Sequence, residues 1–340
     1  MVAAASAAGA SPLNCRSRVL APAVEAPRSV RRVTAAEVVN AGLRRAIFAA
    51  ADSPRLRRLV RRHGMKLGAG RFVAGETIDE AVPVLRRLNE QGLAANTTLL
   101  GESVRDQAET ERVAAEYVAI VDRLADERLR CNVALKLTHL GLDIDEELAY
   151  ANVLRLVEHA RGRGTFVRID MEQSGYVDAT LRTYRRLREA GLDNVGTVLQ
   201  AYLHRTARDL ETLLPLHPNL RIVKGAYLEP PQVAMPRKAD VDAAYARLVS
   251  RMIESGAFVA VATHDERLIE RAIREAPSRD AFQIQMLFGV RPQLQLELAR
   301  RGYDVLVATP FGPEWYPYLT RRLGERPANL LFLIRNVVRR

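Results

Sequence analysis

From residue 96 onward, hydrophobic and polar positions keep one rhythm: short β-rich runs alternate with longer amphipathic stretches. The runs are NTTLLG (96–101), NVALKLT (132–138), TFVRID (165–170), VGTVLQ (195–200), LRIVKGA (220–226), AFVAVAT (257–263), AFQIQML (281–287) and YDVLVAT (303–309). Each is followed by a helical stretch, and their starts lie 22 to 37 residues apart. Eight such units predict an α/β fold, a (βα)8 TIM-type barrel spanning residues 93–340. A doubly wound open sheet is the rival, but it calls for a Gly-rich phosphate turn after its first strand, and GESVRD is not one. Residues 36–92 carry helical periodicity, with turn signals at Asp52-Ser53-Pro54 and at Gly68, Gly70 and Gly75. Past the last run, Pro317 fits a first helical turn and Pro327 blocks continuation, which predicts a final helix over Tyr316–Glu325, above the barrel mouth.

Charge changes this picture at one end only. The net charge is +11, yet residues 1–72 hold 13 Arg and one Lys against Glu25, Glu37 and Asp52, so the remainder is neutral. A basic N-terminal region is not a nucleic-acid-binding body, and no nucleic-acid partner is expected. Residues 1–35, rich in Ala, Ser, Arg and Pro, predict a disordered basic tail. No apolar run reaches the ~18 residues of a spanning helix, and the start lacks the order of a secretory signal. Cys15 and Cys131 fit neither a disulfide framework nor a metal spacing, so a reducing compartment is expected. A cytoplasmic location is favoured over mitochondrial targeting, although the tail composition also resembles a transit peptide. RLRRLVRRH (55–63) reads first as a helix packed on the barrel, and second as a peripheral contact with anionic lipid at the inner membrane.

In such barrels chemistry sits at the C-terminal strand ends. Here those ends are polar or ionisable: Glu102, Lys136 and Thr138, Asp170, Gln200 with Tyr202 beyond, Lys224 and Tyr227, Thr263 and His264, and Gln285. Lys136 projects inward, either as a structural ion pair with Asp170 or as an anchor for an anionic substrate. Asp170 orients Lys136 or acts on a substrate amine; a general acid/base pair with Glu172 finds no other support. His264 follows a Thr at a strand end and reads first as a loop histidine, and the six His lack ligand spacing, so no metal is expected. Arg221 and Lys224 flank small Gly225 and Ala226, which suits an electron-rich or phosphorylated cofactor, or a solvated basic loop. Tyr318 shares a helical face with Arg321 and Arg322, a pairing suited to a small carboxylate.

Seven strings in order, ALKLTHLG, VRIDME, VLQAY, RIVKGAYLEP, VATHD, FQIQMLFGVRP and WYPYLTRRLGERPAN, resemble the proline dehydrogenase family in its bacterial monofunctional form. The resemblance runs from roughly residue 44 to 336, and KGAY and YLTRRLGERPAN are its most specific parts. It implies an FAD enzyme that oxidises L-proline to 1-pyrroline-5-carboxylate and passes electrons to a membrane quinone. It further implies that Arg321 and Arg322 bind the proline carboxylate, with Lys136 as a third cation held by Asp170, and Tyr227 and Tyr318 packing the ring. Arg221 would sit at flavin N5, and Met171, Val198, Gln200, Lys224, Gly225, Ala226, Thr263, His264, Gln285 and Glu325 would line the FAD. Glu102 matches a glutamate that pairs with the first Arg of the doublet as a lid. One position departs: Ala308, two residues before Pro310, stands where family members commonly carry a ring-packing Tyr, which opens hydroxyproline as an alternative substrate. A Schiff-base aldolase using Lys136 or Lys224 and a non-enzymatic basic protein are the more distant readings.

Overall fold

The computed structural model describes residues 64–65 and 69–319. The predicted basic tail, most of the segment before the barrel, RLRRLVRRH and the positions Arg321, Arg322 and Glu325 lie outside the described residues.

Eight parallel strands close in sequence order, β1 through β8, with β8 hydrogen-bonded back to β1. They are β1 (Ala94–Leu99), β2 (Cys131–Leu135), β3 (Val167–Ile169), β4 (Val195–Gln200), β5 (Leu220–Val223), β6 (Val259–Ala262), β7 (Phe282–Leu287) and β8 (Val305–Phe311). Helix α1 (Ile78–Glu90) precedes the barrel. The connecting helices are α2 (Gln107–Asp126), α3 (Glu146–Gly162), α4 (Val177–Glu189), α5 (Thr206–Leu213), α6 (Lys238–Glu254), α7 (Glu266–Glu275) and α8 (Pro292–Arg300). Several starts are capped by a side chain: Asp106 accepts from Glu109 N at 2.8 Å and Asp145 from Leu148 N at 2.9 Å.

All eight predicted runs are strands, but five end early, runs one and three at Leu99 and Ile169. Run two stops at Leu135, and Leu137–His139 turns as a 3-10 helix. Run five stops at Val223, because Gly225 adopts φ +120°, a conformation no strand continues through. A side chain at Gly225 would also meet the Tyr202 ring at 2.2 Å. Run six likewise stops at Ala262.

The main core lies between the outward strand faces and the helices. A second, smaller cluster packs Ala69, Phe72 and Val73 against Leu100, Trp315, Tyr316 and Leu319. It ties the segment before α1 to the C-terminal end of the barrel. Ala74 N donates to Pro310 O at 2.8 Å, and Gly312 N to Gly75 O at 3.0 Å. The Trp315 indole N–H donates to Glu76 at 2.7 Å. Residues 315–319 are helical, one residue ahead of the predicted start.

The barrel interior departs from the branched aliphatic filling usual for this architecture. Asn96, Arg168, Arg221, Gln283 and Gln285 are all buried polar or charged residues on strands. Gly196 makes room for one of them: a Cβ there would meet Arg168 Nη1 at 2.4 Å.

Candidate active site

A cavity of about 890 Å³ opens at the C-terminal end of the barrel. That volume lies at the upper end of ordinary ligand pockets, roughly 300–1,000 Å³. Its inner end is charged. Arg221, inside β5, donates from Nη1 to Asp170 Oδ1 at 2.8 Å, from Nε to Gln285 Oε1 at 2.5 Å and from Nη2 to Asn96 Oδ1 at 2.5 Å. Burial lowers the Arg221 pKa and the Asp170 carboxylate works against that, so the group stays a cation.

The ion pairs differ from the expected ones. Lys136 bonds to Glu102, not to Asp170. Asp170 is taken by Arg221, two strands away, because the closed barrel aims β3 and β5 at one axis. Glu102 therefore has Lys136 as a partner across the β1 and β2 ends, and Arg321 lies outside the described residues. Glu172 bonds to Thr138 rather than to Asp170. It is buried and accepts from Thr138 N at 3.1 Å and from Thr138 Oγ1 at 2.6 Å. Burial raises its pKa, and the Thr138 bonds oppose the rise. Thr138, expected at the rim, is spent on this bond.

Nine of the residues expected around a cofactor line the cavity together: Met171, Val198, Gln200, Lys224, Gly225, Ala226, Thr263, His264 and Gln285. Lys136, Asp170, Arg221, Tyr227 and Tyr318 line it as well. Tyr202 does not; it is buried against Gly225. His264 is a hydrogen-bonded loop residue, as first read, and it also lines the cavity. Leu287 N donates to its Nε2 at 2.9 Å, so that ring nitrogen is an acceptor here. Gln200 is oriented by its own donation from Nε2 to Glu172 O at 2.9 Å.

The outer end of the cavity is lined by ion pairs, among them Arg291 with Glu266 and Lys238 with Asp242. Lys224 donates to Asp242 at 2.5 Å and lies 3.5 Å from Asp265. Burial would raise both carboxyls, but the lysines at 224 and 238 beside Asp242, and Lys224 beside Asp265, hold them below the usual range. Lys238, Arg267 and Arg291 complete this end. Sequence reasoning missed them, and missed Phe72, Asn96 and Thr98, which also line the cavity. Of the missed residues, Asn96 carried a usable signal: an amide at the start of a strand run.

His139 sits behind the Lys136–Glu102 pair, 5 % exposed and edge-on to Tyr117 at 6.0 Å. Burial, and then the Lys136 charge, lower its pKa to about 4 despite Glu102. Cys131 is buried, and burial pushes its thiol up to about 12. Among the described residues, no group of three or more His, Cys, Asp or Glu could hold a metal, and no helix is long and apolar enough to cross a membrane.

A closed parallel barrel with a charged, ligand-sized cavity at its C-terminal mouth defines a barrel enzyme, and comparison with known proteins says which. Residues 81–335 match the family model described as proline dehydrogenase. Proline dehydrogenase 1 of Bacillus subtilis (strain 168) is 38% identical over 303 residues, 88% of this chain and 100% of the relative. The proline dehydrogenase of Deinococcus radiodurans is 40% identical over 304 residues, 87% of this chain and 98% of the relative. The chain belongs to the proline dehydrogenase family and is an oxidoreductase. Among solved structures, proline utilization A (PutA) from Bdellovibrio bacteriovorus, inactivated by N-propargylglycine, has the same fold, with a TM-score of 0.74 at 22% identity. That match covers 84% of this chain and only 36% of the PutA chain.

Proposed function

We propose that this protein oxidises L-proline to 1-pyrroline-5-carboxylate with FAD as its resident cofactor. The observation that carries the reading is the Arg221 guanidinium, buried at the inner end of a large cavity and facing one carboxylate and two amides. The cavity suits a flavin dinucleotide in its donor set as well as its size. The Asn96 Nδ2 group is buried beside Arg221 without a hydrogen-bond partner. Gly225 and Ala226 allow close backbone approach, Met171 and Val198 offer an apolar wall, and Lys224, Lys238, Arg267 and Arg291 at the outer end, each beside a carboxylate, are donors a diphosphate could use. Met171, Val198, Gln200, Lys224, Gly225, Ala226, Thr263, His264 and Gln285 would hold the cofactor, with Glu325 added by the family resemblance.

The bound flavin would supply the two-electron acceptor, and the chain supplies position and field. Oxidation breaks a C–H bond on the ring carbon beside nitrogen, forms C=N, and releases the nitrogen's proton. It requires a neutral amine, and a cationic site formed by Lys136, Arg221, Arg321 and Arg322 disfavours the protonated one. Lys136, Arg321 and Arg322 would bind the carboxylate, with the arginine pair as the clamp and Glu102, through Lys136, closing the rim. Tyr227 and Tyr318 pack the ring. Electrons would pass to a membrane quinone, with residues 55–63 the candidate for peripheral contact.

A second reading has its own observation. Ala308 lines the cavity from β8, and its methyl leaves room that a phenol would fill. That space suits a ring hydroxyl, so 4-hydroxyproline is the alternative substrate. The aldolase reading is weakened by the ion pairs: Lys136 donates to Glu102 and Lys224 to Asp242, the reverse of the desolvated or cation-flanked lysine that Schiff-base chemistry favours. Incubation of purified protein with L-proline and a soluble quinone analogue should give 1-pyrroline-5-carboxylate by mass spectrometry, from a yellow protein. A colourless protein forming no imine contradicts the proposal.

A further inference from the structure

We propose that Gln283 and Asp304, at the opposite end of the barrel from the cavity, are positioning residues that orient the Arg221 guanidinium through Gln285. The inference rests on the reading of Arg221 as the cation facing the reacting ligand.

Hydrogen-bond polarity sets the direction of this chain of contacts. An arginine Nε can only donate, so Gln285 must turn its Oε1 toward Arg221, at 2.5 Å. Its Nε2 then points away and donates to Gln283 Oε1 at 2.6 Å. Gln283 in turn donates from Nε2 to Asp304 Oδ2 at 2.6 Å. A carboxylate can only accept, so the chain runs between an obligate donor at the active end and an obligate acceptor at the floor. Only one orientation of both amides satisfies every link. Asp304, half exposed just before β8, is itself within 3.5 Å of Arg130.

Two features make this thread more than incidental packing. Gln283 and Gln285 are 9 % and 4 % exposed, in an interior where branched aliphatic residues are the rule. They are two residues apart on β7, so they stack on one face and reach from floor to cavity. Arg221 also has a like-charged neighbour: after burial, its charge lowers the pKa of the buried Arg168 guanidinium. Three acceptors hold Arg221 against that repulsion, and Gln285 is the one whose orientation is decided elsewhere. If Gln283 cannot accept, the Gln285 NH2 is left buried and unpaired. Rotating that amide sets donor against donor at Arg221 Nε, and the guanidinium loses its third anchor.

The test compares Gln283→Met with Gln283→Glu in the flavin-loaded protein, with Arg221→Met as the control. A Glu at 283, sharing one proton with Asp304, still accepts from Gln285 and still bridges to the floor; Met can do neither. Gln283→Met is expected to lower the limiting rate of proline-dependent flavin reduction about tenfold, the loss of one buried hydrogen bond, with KM within twofold. It should also make the flavin's reduction potential more negative, a readout independent of turnover. Gln283→Glu should keep both close to the parent, although a buried carboxyl is the poorer choice for stability and its Tm should be no higher than that of the Met variant. A merely structural role predicts the opposite order, with rate following Tm, and that result overturns the proposal. So does a Gln283→Met protein with unchanged rate and potential. If Gln283→Met fails to fold, Asp304→Leu at the exposed floor carries the same expectations. An Arg221→Met protein with normal rate and potential would refute the reading of Arg221, and the relay with it. A damaged Arg221→Met beside a normal Gln283→Met refutes the relay alone.

Discussion

Replacing Arg221 by Met removes one charge-assisted bond to Asp170 and two bonds to the Asn96 and Gln285 amides. It also leaves Asp170, with a side chain 26% exposed, as an uncompensated negative charge at the inner end of the cavity. A charged donor aimed at charge that develops during reaction contributes roughly 2.7–4 kcal/mol, or about 10²–10³ in rate. The orphaned amide oxygens add a stability cost of about 1–3 kcal/mol each, which a thermal melt will register. Substrate affinity should change little, because the carboxylate is assigned to Lys136 and to Arg321 and Arg322. Anaerobic stopped-flow mixing with L-proline separates the two quantities. The limiting reduction rate should fall at least a hundredfold while the half-saturating concentration stays within a few fold. A raised half-saturating concentration with an unchanged limiting rate would falsify the role assigned to Arg221.

Four further outcomes are expected. Arg321→Met or Arg322→Met should raise the proline KM by orders of magnitude with flavin still bound, since each charge-assisted contact contributes roughly 1.5–3 kcal/mol; steady-state kinetics and absorbance check this. Ala308→Tyr should shift the kcat/KM ratio toward proline over 4-hydroxyproline, and an unchanged ratio refutes the pocket reading. Gly225→Ala places a methyl 2.2 Å from the Tyr202 ring at φ +120°, so Tm and flavin retained through gel filtration should both drop, by more than the ~1 kcal/mol of an unstrained exchange. His139, with its pKa lowered to about 4, stays neutral in the fold while the unfolded chain protonates below about 6.5. Its contribution is thus complete above that pH and is lost as pH falls toward 4, on the order of 3 kcal/mol. His139→Phe should flatten the Tm–pH curve in this window, and an unaltered curve contradicts the shift.

The barrel was readable in sequence because each strand is a short apolar run and each helix a longer amphipathic one, a contrast that survives without three-dimensional knowledge. Strand ends were less readable. LRIVKGA looks continuous, yet Gly225 turns the chain after Val223. The site residues were found at strand ends because polarity there is anomalous in a parallel sheet. Their pairing was not: Lys136 and Asp170 follow adjacent strands, but Asp170 faces Arg221 across the axis and Lys136 takes Glu102 from a loop. Closure of the barrel decides such pairs, and pattern along the chain does not encode it. The interior amides were legible in principle. Gln283 and Gln285 share one strand face by their spacing of two, and a buried run with two amides on one face announces a polar interior.

The central claim, a flavin-dependent oxidation of a cyclic amino acid in this cavity, is tested most directly by anaerobic mixing of purified protein with L-proline and, separately, trans-4-hydroxy-L-proline. The account predicts that the oxidised-flavin band near ~450 nm bleaches, with the faster phase naming the preferred ring. A protein without that band, or one whose band neither compound bleaches, would contradict it.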